Sequence, residues 1–441
     1  MTEFEQRNAD WLSYEEALAR ILSRARPLPL ESVGVSDALG RSLAEGIRSP
    51  VTLPQHDNSA MDGYAVRSDD VVGASREAPV TLGVAGISQP GAPWAGSVAS
   101  GQAVRVMTGG PIPKGCDGVI RVEDTDREES EPRRVRIFSD RDHGRHIRPR
   151  GEDIQEGEEV LPAGRTVDSG ALALLSAVGA DRIRVTGRPR VALLSTGDEI
   201  VGPEAYDDVR AGRAVPDTNG PALRAGVEGA GGTVTWKRIV PDETEALAAS
   251  LEEASRADVL VTIGGASMGE YDLVKRVLDR MGFRLAFWRI RVRPGTPFSF
   301  GLLPTGSEGG GDTPVFGLPG NPVSAFVTFH ALVRPFLLQV GGHQHTARPM
   351  IRGISQDQLR SPAGFTTFSR VRVEASGGTG PSRWAIRLTG PQGSGLVSSL
   401  GRADGLAVVP EESDGVVPGE EVDVVLLGDG PGWPGSRPAP G

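Results

Sequence analysis

The sequence predicts a multidomain α/β chain: a doubly wound α/β/α domain with an inserted β module, a small helical/β N-terminal domain and a C-terminal β-barrel-like domain. Three observations predict it. Over 186–342, apolar strand-like runs alternate with amphipathic helix-like runs, the pattern of a mostly parallel sheet covered on both faces. Over 45–160, short β-branched runs (PVTLGVAGI, GQAVRVM, DGVIRVEDT, RRVRIFSD) are separated by Gly/Pro turns, as in a small all-β module. From His343 to Leu427 no long helical period occurs, and TTFSRVRVEA, RWAIRLT, GLAVVP and EEVDVVLL read as strands. With 441 residues the chain exceeds the ~100–200 of one ordinary domain.

Taken in order, Ser13-Tyr-Glu-Glu16 is a capping box that opens a helix over SYEEALARILSRA. The β insert interrupts the unit this helix begins, and DSGALALLSAVGA, a second helix with Gly179 as its stop, completes that unit. RVALLST (strand), GPALRAGVEGA (helix), TVTWKRIV (strand), DETEALAASLEEASRA (helix), DVLVTIGG (strand) and DLVKRVLDRMG (helix) follow. RLAFWRIRV, PFSFGLL and TPVFGL are further strands before a helix at 322–340. The domains implied are 1–49 with 147–180, a discontinuous elongated N-terminal domain; 50–146, the insert; 181–343, the α/β domain; 344–427, the C-terminal β domain; and 428–441, a Gly/Pro-rich tail with the composition of disorder.

Composition narrows the function. A net charge of -10 argues against broad contact with nucleic acid, which depends on basic side chains displacing counterions. The single cysteine, Cys116, forms no intrachain disulfide, and no Cys/His cluster has zinc-site spacing. The start lacks the basic-then-apolar order of a secretion signal, and the most apolar stretch, 325–340, contains His330, Arg334 and Pro335, as a core helix does and a membrane span does not. A cytoplasmic protein with neither membrane nor nucleic-acid partner is expected.

In an open α/β sheet, ligands bind beyond the carboxyl ends of the strands. Three loops there are Ser195-Thr-Gly-Asp-Glu199, the 264–272 loop GGASMGEYD, and Gly317-Leu-Pro-Gly-Asn-Pro-Val-Ser324. The glycines of the middle loop suit either a bland tight turn or a phosphate cradle beside a helix N-terminus. Glu199, Asp242 and Asp272 each stand at a helix start, where an acid is usually a cap. Three acids around a phosphate loop also read as a site bridged by a divalent cation. Arg289, Arg291 and Arg293 alternate along FWRIRVRPG, placing them on one strand face, as a solvated edge or as oxyanion contacts. In the insert, PQHDNSAMDGYAV mixes His56, Asp57, Asn58, Ser59 and Asp62 with Met61 and Tyr64, either an Asx turn or part of a site.

Taken together, DNSAMDGYAV at 57–66, VMTGGPIPKGCDGVI at 106–120, RGED at 150–153, STGDEI at 195–200, GGASMGEYD at 264–272 and GLPGNPVSAFVTF at 317–329 resemble the MoeA family, which includes the E domain of gephyrin. The resemblance runs from the first helix to about residue 427. It implies a molybdopterin-binding α/β domain and the reaction of adenylyl-molybdopterin with molybdate to give molybdenum cofactor and AMP, assisted by Mg2+ or Zn2+. It implies a homodimer, with the molybdopterin adenylyltransferase as a partner. Its catalytic positions fall on Asp57, Thr108, Asp153, Glu199, Asp242 and Asp272, with Glu199 and Asp272 holding the metal. Substrate contacts fall on Gly264, Gly265, Ser267, Gly269, Arg289, Arg293, Pro319, Pro322, Arg370 and Ser394. Where many relatives carry lysines in this region, the chain has Arg289, Arg293 and Thr296, so charge is kept at two positions and lost at the third. A scaffold on the same fold, or a paralogue handling tungstate or a variant pterin, are the alternative readings.

Overall fold

The computed structural model describes residues 11–264, 273–304, 311–376 and 384–428. Its centre is a six-stranded sheet in the order Thr233–Val240, Arg190–Thr196, Val259–Ile263, Thr313–Leu318, Ser299–Leu303, Arg284–Trp288. The first four strands run parallel and the last two join antiparallel. Strand periodicity sends alternate side chains to opposite faces. Val191 and Leu193 enter a core with the helices Asn219–Glu228 and Pro322–Val340, while Ala192 and Leu194 enter a second core with Thr244–Ala254 and Leu273–Arg280. The helix Pro322–Val340, apolar enough by composition to cross a membrane, is 83% buried in this fold and forms the spine of the first core.

Two local readings of the sequence meet a different structure. The strand read through RLAFWRIRV breaks at Arg289, whose φ of 66° puts it in the left-handed region. There the chain leaves the central sheet, and Val292–Arg293 pairs instead with Thr366 and Thr367. The three arginines therefore do not share one strand face. The capping-box helix Tyr14–Leu22 forms as the sequence indicates, with Ser13 and Glu16 bonded reciprocally. Its Ala17 and Ile21, however, are buried in the α/β core with Leu337 and Val340, and not with Ser169–Ala177, the helix expected to complete its unit. That second helix packs instead with strands Leu30–Gly34 and Arg182–Thr186.

The C-terminal strands Thr366–Ala375, Trp384–Leu388, Met350–Ser355, Glu421–Leu426 and Gly405–Val409 pair in a closed ring, the last returning to the first, around a core of Val371, Val373, Ile386, Ala407 and Val424. Closure removes exposed sheet edges. The inserted module is a five-stranded sheet, Gly118–Arg121, Gly63–Val66, Gln102–Val106, Val80–Ser88 and Arg134–Ile137. Short ladders at Ile47–Arg48 with Glu159–Leu161, and at Asn58–Ser59 with Ile147–Arg148, carry the chain into and out of it.

A polar network fixes the exit. Asp142, 1% exposed, accepts hydrogen bonds from Arg121 Nε at 2.8 Å and Nη2 at 2.9 Å and lies 2.9 Å from His146 Nε2. The His146 carbonyl in turn accepts the Ala60 N–H. Burial alone would push the Asp142 carboxyl up, but the bonds from Arg121 and His146 outweigh it and hold it well below the usual carboxylate range. A depressed folded-state value stabilises the fold above the unfolded value near ~4 and loses that stabilisation as pH falls. We therefore expect Asp142→Ala to cost about 2 kcal/mol at pH 7 by removing the buried carboxylate that Arg121 and His146 bond, leaving Arg121 its longer ion pair with Asp124 at 3.7 Å. In urea unfolding, the gap between parent and variant should narrow below about pH 4; a gap that stays constant down to pH 3 contradicts this account.

Candidate active site

The four parallel strands deliver their carboxyl ends to one rim, and there lies a cleft of about 810 Å3. Ser195, Thr196 and Glu199 come from the end of Arg190–Thr196, Asp242 from the turn after Thr233–Val240, Gly264 from the end of Val259–Ile263, and Gly320 to Pro322 from the turn after Thr313–Leu318. Gly264 has φ 85°, and a Cβ there would stand 3.0 Å from the Thr196 carbonyl and hydroxyl oxygens, so backbone meets backbone at this rim. The charged side chains lining the cleft are Glu199, Asp217 and Asp242; among the described residues no Lys or Arg joins them. Asp198 accepts the Asp242 N–H at 3.0 Å and ties the two acidic loops together.

A second cavity, about 740 Å3, lies where the α/β domain meets the barrel. Its described lining has the opposite character: Arg293, Arg360 and Arg370 with Ser, Thr, Asn and Gln side chains, and no carboxylate. Arg370, 1% exposed, donates to Ser399 Oγ and the Gly393 carbonyl, both at 3.1 Å, and burial pulls its guanidinium down to about 10. Arg293 lies with its guanidinium 5.4 Å from the centre of the Phe365 ring. Pro319 and Ser394 belong to the same wall, and the Ser394 carbonyl accepts the Val323 N–H at 3.1 Å, joining barrel to helix. Asn321 lines both the acidic cleft and this cationic cavity, so the turn Gly320-Asn321-Pro322 is the partition between them. Pro322 starts the buried helix from its first turn, where its missing N–H costs nothing.

The remaining positions singled out in the sequence fall elsewhere. Asp57, Thr108 and Asp153 are exposed: Asp57 accepts the Arg150 N–H at 2.8 Å, and the Asp153 N–H donates to the Leu53 carbonyl. None of the three lines either cavity. Arg289 lines neither; its guanidinium lies 4.2 Å from the Trp288 ring centre and 5.2 Å from that of Trp11. Arg291 donates to the Trp11 carbonyl and pairs with Glu411. Gly265, Ser267, Gly269 and Asp272 lie outside the described residues.

Three contributors escaped the sequence reading, while a fourth, Asp62, stands in the PQHDNSAMDGYAV run that it singles out. Asp217 and Asn219 sit in the cleft wall, Asp217 ion-paired with Lys237 at 3.0 Å and accepting the Gly220 N–H at 2.7 Å. The Asn219 amide, 8% exposed, donates to the Gly320 carbonyl at 2.8 Å. Asp62 holds Thr108 through both its N–H and its hydroxyl, at 2.7 and 2.9 Å. Arg360 is the third cation of the second cavity. The Asp-Thr-Asn run before a glycine at 217–220 was a usable signal, since such residues bond locally at helix starts; Arg360 had none.

Known proteins place this geometry. A model of the MoeA N-terminal region (domain I and II) matches residues 12–179, one of a probable molybdopterin binding domain matches 192–339, and one of the MoeA C-terminal region (domain IV) matches 352–427. The molybdopterin molybdenumtransferase of Haemophilus influenzae is 34% identical over 419 residues, covering 94% of this chain and 98% of that protein. Molybdopterin molybdenumtransferase 2 of Mycobacterium tuberculosis is 33% identical over 417 residues, covering 93% of this chain and 98% of that protein. The crystal structure of a molybdopterin biosynthesis MoeA protein from Pyrococcus horikoshii superposes with a TM-score of 0.76 at 28% identity, over 95% of this chain and 100% of that one.

The Asn219 bond is the tie that fixes the partition from the cleft side. Asn219→Ala should lower unfolding free energy by about 1 kcal/mol and speed amide hydrogen exchange at 320–325. Exchange at the parental rate in that segment would show that the turn is held without Asn219.

Proposed function

The chain belongs to the MoeA family, and from that membership we propose that it is a molybdopterin molybdenumtransferase, inserting molybdate into adenylylated molybdopterin and releasing AMP. The observation that carries this reading is the pair of adjoining cavities of opposite charge that share Asn321. The reaction needs such a pair. A tetrahedral dianion must be held by cations and kept away from carboxylates, while a pyrophosphate must be met by a cation that carboxylates hold. The arginine-lined cavity takes the oxyanion, with Arg370 as its buried fork and Arg293, Ser394 and Pro319 shaping the wall. The acidic cleft takes the pterin and pyrophosphate, with Gly264 allowing close backbone approach.

The donor set of the cleft fits a hard divalent cation. Glu199 and Asp242 are exposed carboxylates at neighbouring strand ends, and Mg2+ commonly takes one or two carboxylates, with phosphate oxygens and water completing its shell. Oxygen donors of this kind suit Mg2+ better than Zn2+, and among the described residues no group of three or more His, Cys, Asp or Glu forms a closed metal cage. Mg2+ held by Glu199, and by Asp272 as the family resemblance implies, would neutralise the pyrophosphate and polarise the scissile P–O bond. An oxygen nucleophile then displaces AMP at phosphorus. Arg370 and Arg293 keep the molybdate oriented across the Asn321 partition as the dithiolene receives the metal. The reaction is cytoplasmic, in keeping with a single cysteine that can form no intrachain disulfide.

The working unit is a homodimer in which the partner's insert completes each site. What supports this is that Asp57, Thr108 and Asp153 are exposed yet line neither cavity of their own chain, and a two-fold pair brings one insert to the other chain's rim twice.

Two expectations follow from the division of charge. With purified protein, adenylyl-molybdopterin, molybdate and Mg2+, AMP is released. In that assay Arg370→Gln should raise the molybdate KM roughly ten- to a hundredfold, the worth of a charge-assisted hydrogen bond, without changing the Mg2+ optimum. Glu199→Gln should do the reverse. Absence of AMP release from the parent would sink the proposed activity, and identical responses of the two variants would sink the division. For the shared site, Asp57→Ala and Glu199→Ala chains, each inactive alone, should recover activity when co-expressed, because random pairing makes half the dimers mixed and about a quarter of all sites intact. Mixed dimers seen by native mass spectrometry but devoid of activity would place both residues in a same-chain site.

A further inference from the structure

We propose that Arg360 is the capture residue of the oxyanion cavity: it draws the dianion in from solvent and biases entry toward doubly charged over singly charged ions. The proposal rests on the reading above that this cavity binds an oxyanion. Three arginines line the cavity, and their guanidiniums are held differently. Arg370 is buried and bonded to Ser399 and Gly393. Arg293 lies against Phe365. Arg360 is exposed, and among the described residues its guanidinium makes no hydrogen bond or ion pair. Its backbone, by contrast, is fixed. Leu359 and Arg360 form a two-residue ladder with Val416 and Gly415, Leu359 is 1% exposed, and the chains approach so closely that a Cβ on Gly415 would stand 2.3 Å from the Leu359 carbonyl oxygen. A free head on a fixed base, at the rim of a cavity whose described lining has no carboxylate to quench it, is an arm that can follow an incoming anion. The cavity also lacks a cation at Thr296, whose hydroxyl is occupied by the Val292 carbonyl at 2.9 Å.

An exposed cation acts on encounter and is screened by salt, whereas a buried fork acts on the bound state and is screened little. A dianion feels twice the Coulomb pull of a monoanion at the same distance. Arg360→Gln should therefore lower kcat/KM for molybdate about tenfold at low ionic strength, with a smaller loss in kcat. The deficit should shrink to about two- to threefold near 0.5 M salt, where the Debye length is only a few Å. Arg360→Lys should recover most of the loss, since a point charge suffices for steering.

The test is molybdate saturation at low and high sodium chloride for the parent, Arg360→Gln, Arg360→Lys and Arg370→Gln. Equilibrium dialysis of molybdate alone, and of perchlorate as a tetrahedral monoanion, gives a readout free of turnover. The proposal expects a salt-sensitive defect in Arg360→Gln, rescue by Lys, and a larger loss for molybdate than for perchlorate. An unaltered Arg360→Gln beside a defective Arg370→Gln overturns the capture role and leaves the cavity standing. Equal loss in the Gln and Lys variants overturns it in favour of a fixed guanidinium contact. If neither Arg360→Gln nor Arg370→Gln alters molybdate binding, the oxyanion reading of the cavity itself falls.

Discussion

The turn Gly320-Asn321-Pro322 is the constraint on which the rest of this structure depends. It must leave a parallel strand, present Asn321 to two cavities, and start a helix that is 83% buried. Each requirement has its own device: a glycine at the bend, Pro322 at the helix start, and anchors on both sides. Asn219 holds the Gly320 carbonyl from the cleft, and the Ser394 carbonyl holds the Val323 N–H from the barrel. A partition anchored by two domains does not drift, so the cavities it separates keep their spacing. That is what a transfer between two bound groups needs, because small misplacements of reacting atoms are costly.

The separation of charge across this turn is electrostatic economy carried out by the fold. Arg370 is buried, its guanidinium donates to the neutral Ser399 and Gly393 oxygens, and desolvation weakens its hold on its proton. A buried cation kept without a carboxylate partner is destabilising in the empty protein and becomes favourable when an anion arrives. Had Glu199 or Asp242 lined the same cavity, that attraction would have been spent within the protein. The acids are instead confined to the strand ends, where Asp198 binds their loops together and where they would serve the proposed phosphate-bridging cation.

Much of the fold was legible because it rests on local periodicity. Alternate residues of Arg190–Thr196 divide between two cores, the Ser13–Glu16 capping box forms, and Asp168 caps the helix that ends near Gly179. What was not legible depends on distant partners. Nothing in FWRIRV marks Arg289 as the point where a strand leaves one sheet for another; the break is set by Trp11 and the barrel strand Thr366–Ala375, far away in sequence. Nor can the spacing of Ala17 and Ile21 tell which helix they meet. At the site, Glu199, Asp242, Gly264 and Pro322 were readable as strand-end loop residues, and they do line one cleft. Arg360 was not, since a two-residue ladder with Gly415 and Val416 brings it to the cavity, and no motif surrounds it.

The central claim is that molybdate and the AMP phosphate occupy different cavities on the two sides of Asn321. Crystals grown with molybdate, AMP and Mg2+ and measured at the molybdenum absorption edge would test it most directly, since the anomalous signal locates the metal without reference to any assumed chemistry. The account predicts a molybdenum peak within hydrogen-bonding reach of the Arg370 guanidinium and of Ser394, with the AMP phosphate in the cleft beside Glu199 and Gly264. A molybdenum peak in that acidic cleft, or AMP phosphate seated on Arg370, would contradict it.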